Sequence, residues 1–228
     1  IPFCPTRCDY CSFVSQTVVR AAKLIPEYVR LLAQEVAQTG VLARELGLRL
    51  ETVYFGGGTP TTLTAEQLDT LLRAVEEHFD LSSVREYTVE AGRPDTVTEE
   101  KFRVLRRHGV SRISINPQTL NDGVLRNIGR RHTAEQFYEA FDLARRCGFD
   151  HINTDLIAGL PGDTADGFFH SLDGIISLQP ESITVHALAM KRASNLVVQR
   201  RAVAAEAEAY DTARRMVAFS ARQLPEAG

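Results

Sequence analysis

The chain has 228 residues, 44% of them hydrophobic and 24% charged, with a formal net charge of −3, the balance of one soluble globular body. No run of about 18 apolar residues occurs, which excludes a membrane span. The mild acidity argues against a nucleic-acid binder, since a phosphate backbone calls for a basic face.

The first element is the end of a strand, Ile1 to Phe3, running into Cys4-Pro5-Thr6-Arg7-Cys8-Asp9-Tyr10-Cys11. Thiolates are the usual protein ligands of iron–sulfur clusters, and three of them leave one iron of a four-iron cube open to a small molecule. A zinc site would want a fourth ligand, and no second CxxC or His pair follows nearby. A disulfide framework belongs to small secreted chains, and this chain carries four cysteines in all and no apolar signal segment. Opening at Ile1 without Met, inside a motif, the sequence reads as a piece of a longer protein with flanking elements on both sides.

Strand and helix patterns then alternate, the mark of parallel βα units. Strands are predicted at Glu51–Phe55, Glu86–Ala91, Arg112–Asn116, His151–Ile157 and Ser182–His186. Helices are predicted at Ile25–Leu46, Ala65–Phe79, Glu99–His108, Ala134–Cys147 and Asp166–Ser177, with Thr64, Thr98 and Thr133 as N-caps, and a closing helix over roughly Val203 to Gln223. Cys147, at the end of one helix before Gly148, reads as a small buried hydrophobe. The second strand runs into Gly56-Gly57-Gly58-Thr59-Pro60, where three missing Cβ atoms would let a ligand approach backbone N–H and C=O groups. The bland alternative is a flexible turn before a capped helix, and a phosphate loop is a poor match because its Lys-Ser/Thr is absent.

Alternation along the strands carries the next step. Thr88 and Glu90 share a face, as do Ser114, Asn116 and Gln118, then Asn153 and Asp155, then Thr184 and His186, while Tyr87, Val89, Ile113, Ile115, Ile152, Thr154, Leu156, Ile183 and Val185 fill the other. A buried parallel strand is normally apolar on both faces. Polar groups in phase on four strands therefore predict a shared, solvated or ligand-filled interior, with the chemistry at the C-terminal strand ends. Singly, each polar residue could equally be a satisfied core group, His186 among them.

Taken together, CxxxCxYC, GGGTP after the next strand and Glu90 at the end of the third resemble a radical S-adenosylmethionine (SAM) enzyme. Glu90-Ala91-Gly92-Arg93-Pro94-Asp95, Asn116 to Asn121, Ile128 to Thr133 and Asp155 to Gly162 are similar to the oxygen-independent coproporphyrinogen III oxidase family, most of all its HemZ type. The resemblance covers Ile1 to about Asn195. It implies a single radical SAM core domain over residues 1–228, an α/β partial (βα)6 TIM-like barrel with its N-terminal strand truncated.

It also implies a [4Fe-4S] cluster on Cys4, Cys8 and Cys11, and SAM held by Tyr10, Gly57, Gly58, Thr59, Glu90, Gln118, Arg130, Asp155 and, if no gap intervenes, Ala189. The implied reaction is oxidative decarboxylation of coproporphyrinogen III to protoporphyrinogen IX through a 5′-deoxyadenosyl radical, in the cytoplasm, with a reductant such as flavodoxin or ferredoxin. Arg93, Arg130, Arg131, Lys191 and Arg192 are candidates to meet the porphyrinogen carboxylates. On their residues alone, Arg130 and Arg131 could be a solvated pair and His132 could merely shape a helix entry. Ser12-Phe13, where the best-characterised oxidases continue Cys-Gly-Cys, points to the HemZ or HemW branches. HemW-type proteins are haem chaperones, which keeps a haem-binding alternative open.

Overall fold

A computed structural model describes residues 1–198 and 206–227. The cysteine segment forms a short parallel pair, β1 (Phe3–Cys4) with β2 (Gln16–Thr17), followed by α1 (Val18–Ala21) and the long α2 (Ile25–Glu45). The remainder alternates: β3 (Thr52–Phe55), α3 (Ala65–His78), β4 (Glu86–Glu90), α4 (Glu99–Arg107), β5 (Arg112–Ser114), α5 (Asp122–Asn127), α6 (Ala134–Arg146), β6 (His151–Ala158), α7 (Ala165–Ser177), β7 (Ser182–Ala187), α8 (Asn195–Val198) and α9 (Glu206–Ala227). Strands β3 to β7 form one all-parallel sheet in sequence order, the partial barrel expected of the alternating pattern. The expected first strand departs from this plan. It shifts to Phe3–Cys4 and pairs with β2 outside the five-stranded sheet, meeting that sheet through Gly58 N–H, which donates to the Ile1 carbonyl at 2.8 Å.

Helix starts follow the chemistry of their caps. The hydroxyls of Thr64 and Thr133 each accept from the backbone N–H three residues on, and their own backbone N–H groups donate to the side-chain oxygens of Gln67 and Gln136 in return, two complete capping boxes. Thr98 caps α4, and Thr164 and Asn121 cap α7 and the unpredicted α5. Each such cap contributes about 1 kcal/mol. The expected start of the closing helix at Val203 lies outside the described residues; its end runs past Gln223 to Ala227. None of the described helices is long and apolar enough to cross a membrane.

One core joins the outer faces of the strands to the helices. Val89, Ile113, Ile115, Ile152 and Leu156 pack with Leu68, Leu71 and Leu72 of α3, Phe102 and Leu105 of α4, Phe137 and Phe141 of α6, and Phe168 and Leu172 of α7, all buried. Each contributes roughly 1.5–3 kcal/mol of burial. That face is fully occupied, so the polar rows are left to the interior. Strand register aligns them: Tyr54 opposite Thr88, Glu90 opposite Ser114, Ser114 opposite Asn153, Asp155 opposite Thr184.

Candidate functional site

The interior polar row is one hydrogen-bonded network. Ser114 Oγ donates to Asn116 Oδ1 at 2.8 Å; Asn153 Nδ2 donates to Ser114 Oγ at 3.0 Å and to Asp155 Oδ1 at 2.8 Å; Asp155 N–H donates to Asn116 Oδ1 at 3.2 Å. Thr184 Oγ1 donates to Asn153 Oδ1 at 3.2 Å from the β7 side. Ser114, Asn116 and Asn153 are buried, so their polar atoms are matched by neighbours, as the satisfied-core reading has it. The rims differ. Glu90 and Asp155 are half-buried, and His186 stands exposed with its Nε2 3.8 Å from Asp155 Oδ2, so the core-histidine reading of His186 fails.

Glu90 accepts from the Tyr54 hydroxyl at 2.5 Å and from Gly57 N–H at 3.2 Å. Burial pushes its carboxyl above the usual range, against the pull of those two donors. Tyr54, raised by burial and then by Glu90, went unmarked in the sequence although its phase with Thr88 places it in the same row.

The glycine motif meets the cysteine segment before any ligand could. A Cβ on Gly58 would stand 2.6 Å from the Phe3 carbonyl and 3.0 Å from Cys4 Sγ, and Gly57 sits at φ +114° with Ile1 backbone 3.0 Å from where a Cβ would be. Thr59, buried, directs its hydroxyl at Cys4 Sγ across 3.6 Å. Close approach is thus required by the chain itself, and only Gly57 of the three is exposed.

The cysteine loop is then stitched down on all sides. Thr6 Oγ1 donates to the Gly129 carbonyl at 2.7 Å, Asp9 N–H to the Ile128 carbonyl at 2.9 Å, and Arg7 Nη2 to the Ala193 carbonyl at 2.8 Å. From the other end of the chain, Leu196 N–H donates to the Asp9 carbonyl at 3.0 Å and Asn195 Nδ2 to Asp9 Oδ1 at 3.1 Å. Tyr10 packs on Val124, Leu125, Ile128, Ile157 and Leu160. Cys8 is buried, Cys4 and Cys11 partly exposed, and burial followed by its two sister cysteines raises the Cys11 thiol. Among the described residues no three His, Cys, Asp or Glu side chains gather tightly around one point as a single-ion site would require. A cube instead spaces its ligands at its corners.

Two guanidiniums lie inside this assembly, which takes Arg93 away from the expected mouth and rules out the solvated reading of Arg130. Arg93, expected at the mouth for substrate, is 2% exposed and donates to Thr6 Oγ1 at 3.0 Å, to the Thr6 carbonyl at 3.4 Å and to Cys8 Sγ at 3.5 Å, with Asp95 3.4 Å away. Arg130, expected to pair with a carboxylate or to be solvated, is buried and donates to the Asn116 and Gly92 carbonyls, the former at 2.5 Å. Arg131, Lys191 and Arg192 remain exposed, and Ala189 lies exposed past the end of β7. His132, far from merely shaping a helix entry, is 2% exposed with no well-formed hydrogen bond at either ring nitrogen. Burial, then the Arg130 and Arg93 charges, depress its pKa to about 3, so it is neutral.

Gln118 completes the set. It holds φ +69°, uncommon for a residue with a side chain, because its N–H and C=O bridge Asp155 and Ile157 across the strand gap. Its Oε1 and the Nε of Arg130 are buried without protein partners, one acceptor and one donor left over near the same strand ends. Leaving such a group unpaired costs about 1–3 kcal/mol, which a polar ligand would recover. The thiolate trio, the glycine turn and these two orphans fit a cluster with a small zwitterionic nucleotide beside it.

Residues 1–173 match the family described as the Radical SAM superfamily. Over 86% of its length the chain is 46% identical to the oxygen-independent coproporphyrinogen-III oxidase-like protein HemZ of Bacillus subtilis, covering 39% of that protein. It is 38% identical to the heme chaperone HemW of the same organism, covering 82% of this chain and 48% of the relative. Among solved structures, coproporphyrinogen III oxidase (HemN) from Escherichia coli, described as a radical SAM enzyme, superposes with a TM-score of 0.83 at 27% identity over 97% of this chain and 51% of the other. The chain spans about half or less of the length of the curated relatives it matches.

Proposed function

This chain belongs to the radical SAM superfamily, and we propose that it is the core of an enzyme that oxidatively decarboxylates coproporphyrinogen III to protoporphyrinogen IX in cytoplasmic porphyrin biosynthesis. One observation supports the site most directly: Cys4, Cys8 and Cys11 occupy a loop fixed against the glycine turn on one side and against Ile128 and Gly129, just before Arg130 with its orphaned Nε, on the other. The 46% identity to the HemZ oxidase-like protein favours the oxidase reading.

In this reading Cys4, Cys8 and Cys11 hold a [4Fe-4S] cluster, and Tyr10, Gly57, Gly58, Thr59, Glu90, Gln118, Arg130, Asp155 and Ala189 surround SAM. When bound, this pair supplies one-electron chemistry and the abstraction of a hydrogen atom from an unactivated C–H bond, which no side chain provides. The chain's own residues orient and enclose. Arg130, a fixed cation, and Gln118 offer a carboxylate partner and an acceptor; Glu90 and Asp155 offer acceptors to ammonium and hydroxyl groups. The apolar floor of Val124, Leu125, Ile128 and Ile157 under Tyr10 keeps water from that side. Exposed Arg131, Lys191 and Arg192 suit the carboxylates of a porphyrinogen, with flavodoxin or ferredoxin as the external reductant.

A haem-delivery function on the same cluster is the second reading, favoured by the 38% identity to HemW. The test is anaerobic incubation of the reconstituted full-length protein with dithionite, SAM and either coproporphyrinogen III or haem. Vinyl product by mass spectrometry is the expected result; stable haem absorbance without decarboxylation would overturn it.

A further inference from the structure

Arg93 is more than a strut. We infer that Arg93 sets the electron affinity of the cysteine loop by presenting a buried positive charge and an N–H donor to Cys8 Sγ. This rests on the reading that the three cysteines hold an iron–sulfur cluster, and it assigns a role to a residue outside the set that surrounds SAM. The guanidinium is 2% exposed and 3.5 Å from the sulfur, with Thr6 fixing its other edge at 3.0 Å. Its counter-charge, Asp95, stands 3.4 Å from Nε, so the charge is balanced from the side away from the Nη1 that meets the cysteine. Arg130 acts electrostatically on the same cysteine.

Reduction adds one negative charge at this loop. Cluster potentials respond to local net charge and to hydrogen bonds received by the ligand sulfurs. Both effects here stabilise the reduced state and raise the potential. They are strong because the groups are out of water, where charge is weakly screened. A purely mechanical role for Arg93 would change how well the loop holds iron without ordering the potential by charge.

The experiment takes the full-length protein, reconstituted anaerobically, with iron counted per chain and the midpoint potential read by EPR during a dithionite titration. Arg93→Gln is expected to lower the reduction equilibrium about tenfold, about 59 mV for one electron. Arg93→Lys, which keeps the charge, should stay nearer the wild type, and Asp95→Asn should move the potential upward. Full iron with an Arg93→Gln potential equal to wild type overturns the inference, as does an Asp95→Asn potential that fails to rise. Should Arg93→Gln hold no iron, the Lys and Asp95→Asn variants decide by the same order. A wild-type protein that binds no cluster would instead sink the underlying cluster assignment.

Discussion

The two walls of the interior are built on opposite principles. On the cysteine side, Arg93, Arg130, His132 and Gln118 are buried, and the loop is fixed by Thr6 Oγ1 donating to the Gly129 carbonyl, Asp9 N–H donating to the Ile128 carbonyl and Leu196 N–H donating to the Asp9 carbonyl. On the β7 side, Ser182 to Val185 are half-buried and His186 and Ala187 exposed, with Thr184 alone tied into the network. The first wall is fixed by bonds to distant parts of the chain; the second is paired with β6 along its length and leaves the side chains at its C-terminal end exposed. Pre-organisation is thus concentrated where the three cysteines are held in one geometry.

Substitution at Gly58 breaks the contrast most sharply. In Gly58→Ala the new methyl would stand 2.6 Å from the Phe3 carbonyl, backbone that cannot rotate away. The expected loss is about 3 kcal/mol in urea unfolding together with lower iron content on reconstitution. A stability equal to wild type would mean that the cysteine segment is not seated on the glycine turn.

Next comes His132, whose neutrality is a property of the fixed wall. Its folded-state pKa is depressed to about 3 from an ordinary value of 6.5, so the unfolded chain takes up the proton first as pH falls. The contribution is present above about pH 6.5 and lost on descent toward pH 3. Between pH 7 and pH 5 that amounts to about 2 kcal/mol. Denaturant unfolding at the two pH values should show the drop in wild type and a flatter profile in His132→Gln. The smallest effect belongs to the open wall: His186→Ala, removing an exposed ring 3.8 Å from Asp155, should change stability by less than about 0.5 kcal/mol. A larger loss would make β7 a second fixed wall and erase the distinction.

Much of the fold was legible because it depends on local chemistry. Thr64, Thr98 and Thr133 cap helices wherever they precede apolar periodicity, and strand parity put Ser114, Asn153 and Asp155 in one row. The cysteine and glycine motifs were equally plain. What escaped was set by partners far along the chain. Arg93 looks like any loop arginine until Thr6 and Cys8, more than eighty residues earlier, close over it. The glycine run gives no sign that it also seats Ile1 to Cys4, whose backbone comes within reach of the missing Cβ atoms. Tyr54 could have been found by extending the parity argument one strand back from Thr88.

The ties from Ala193, Asn195 and Leu196 to Arg7 and Asp9 span nearly the whole sequence, 186 residues in two of the side-chain bonds. The cysteines leave the ribosome before most of their supports exist, and the last knots form only once the seventh strand has been laid down. Closing so long a loop costs entropy that these few bonds repay late. The full set of supports under the three cysteines is therefore complete only when the chain beyond β7 has folded back onto them.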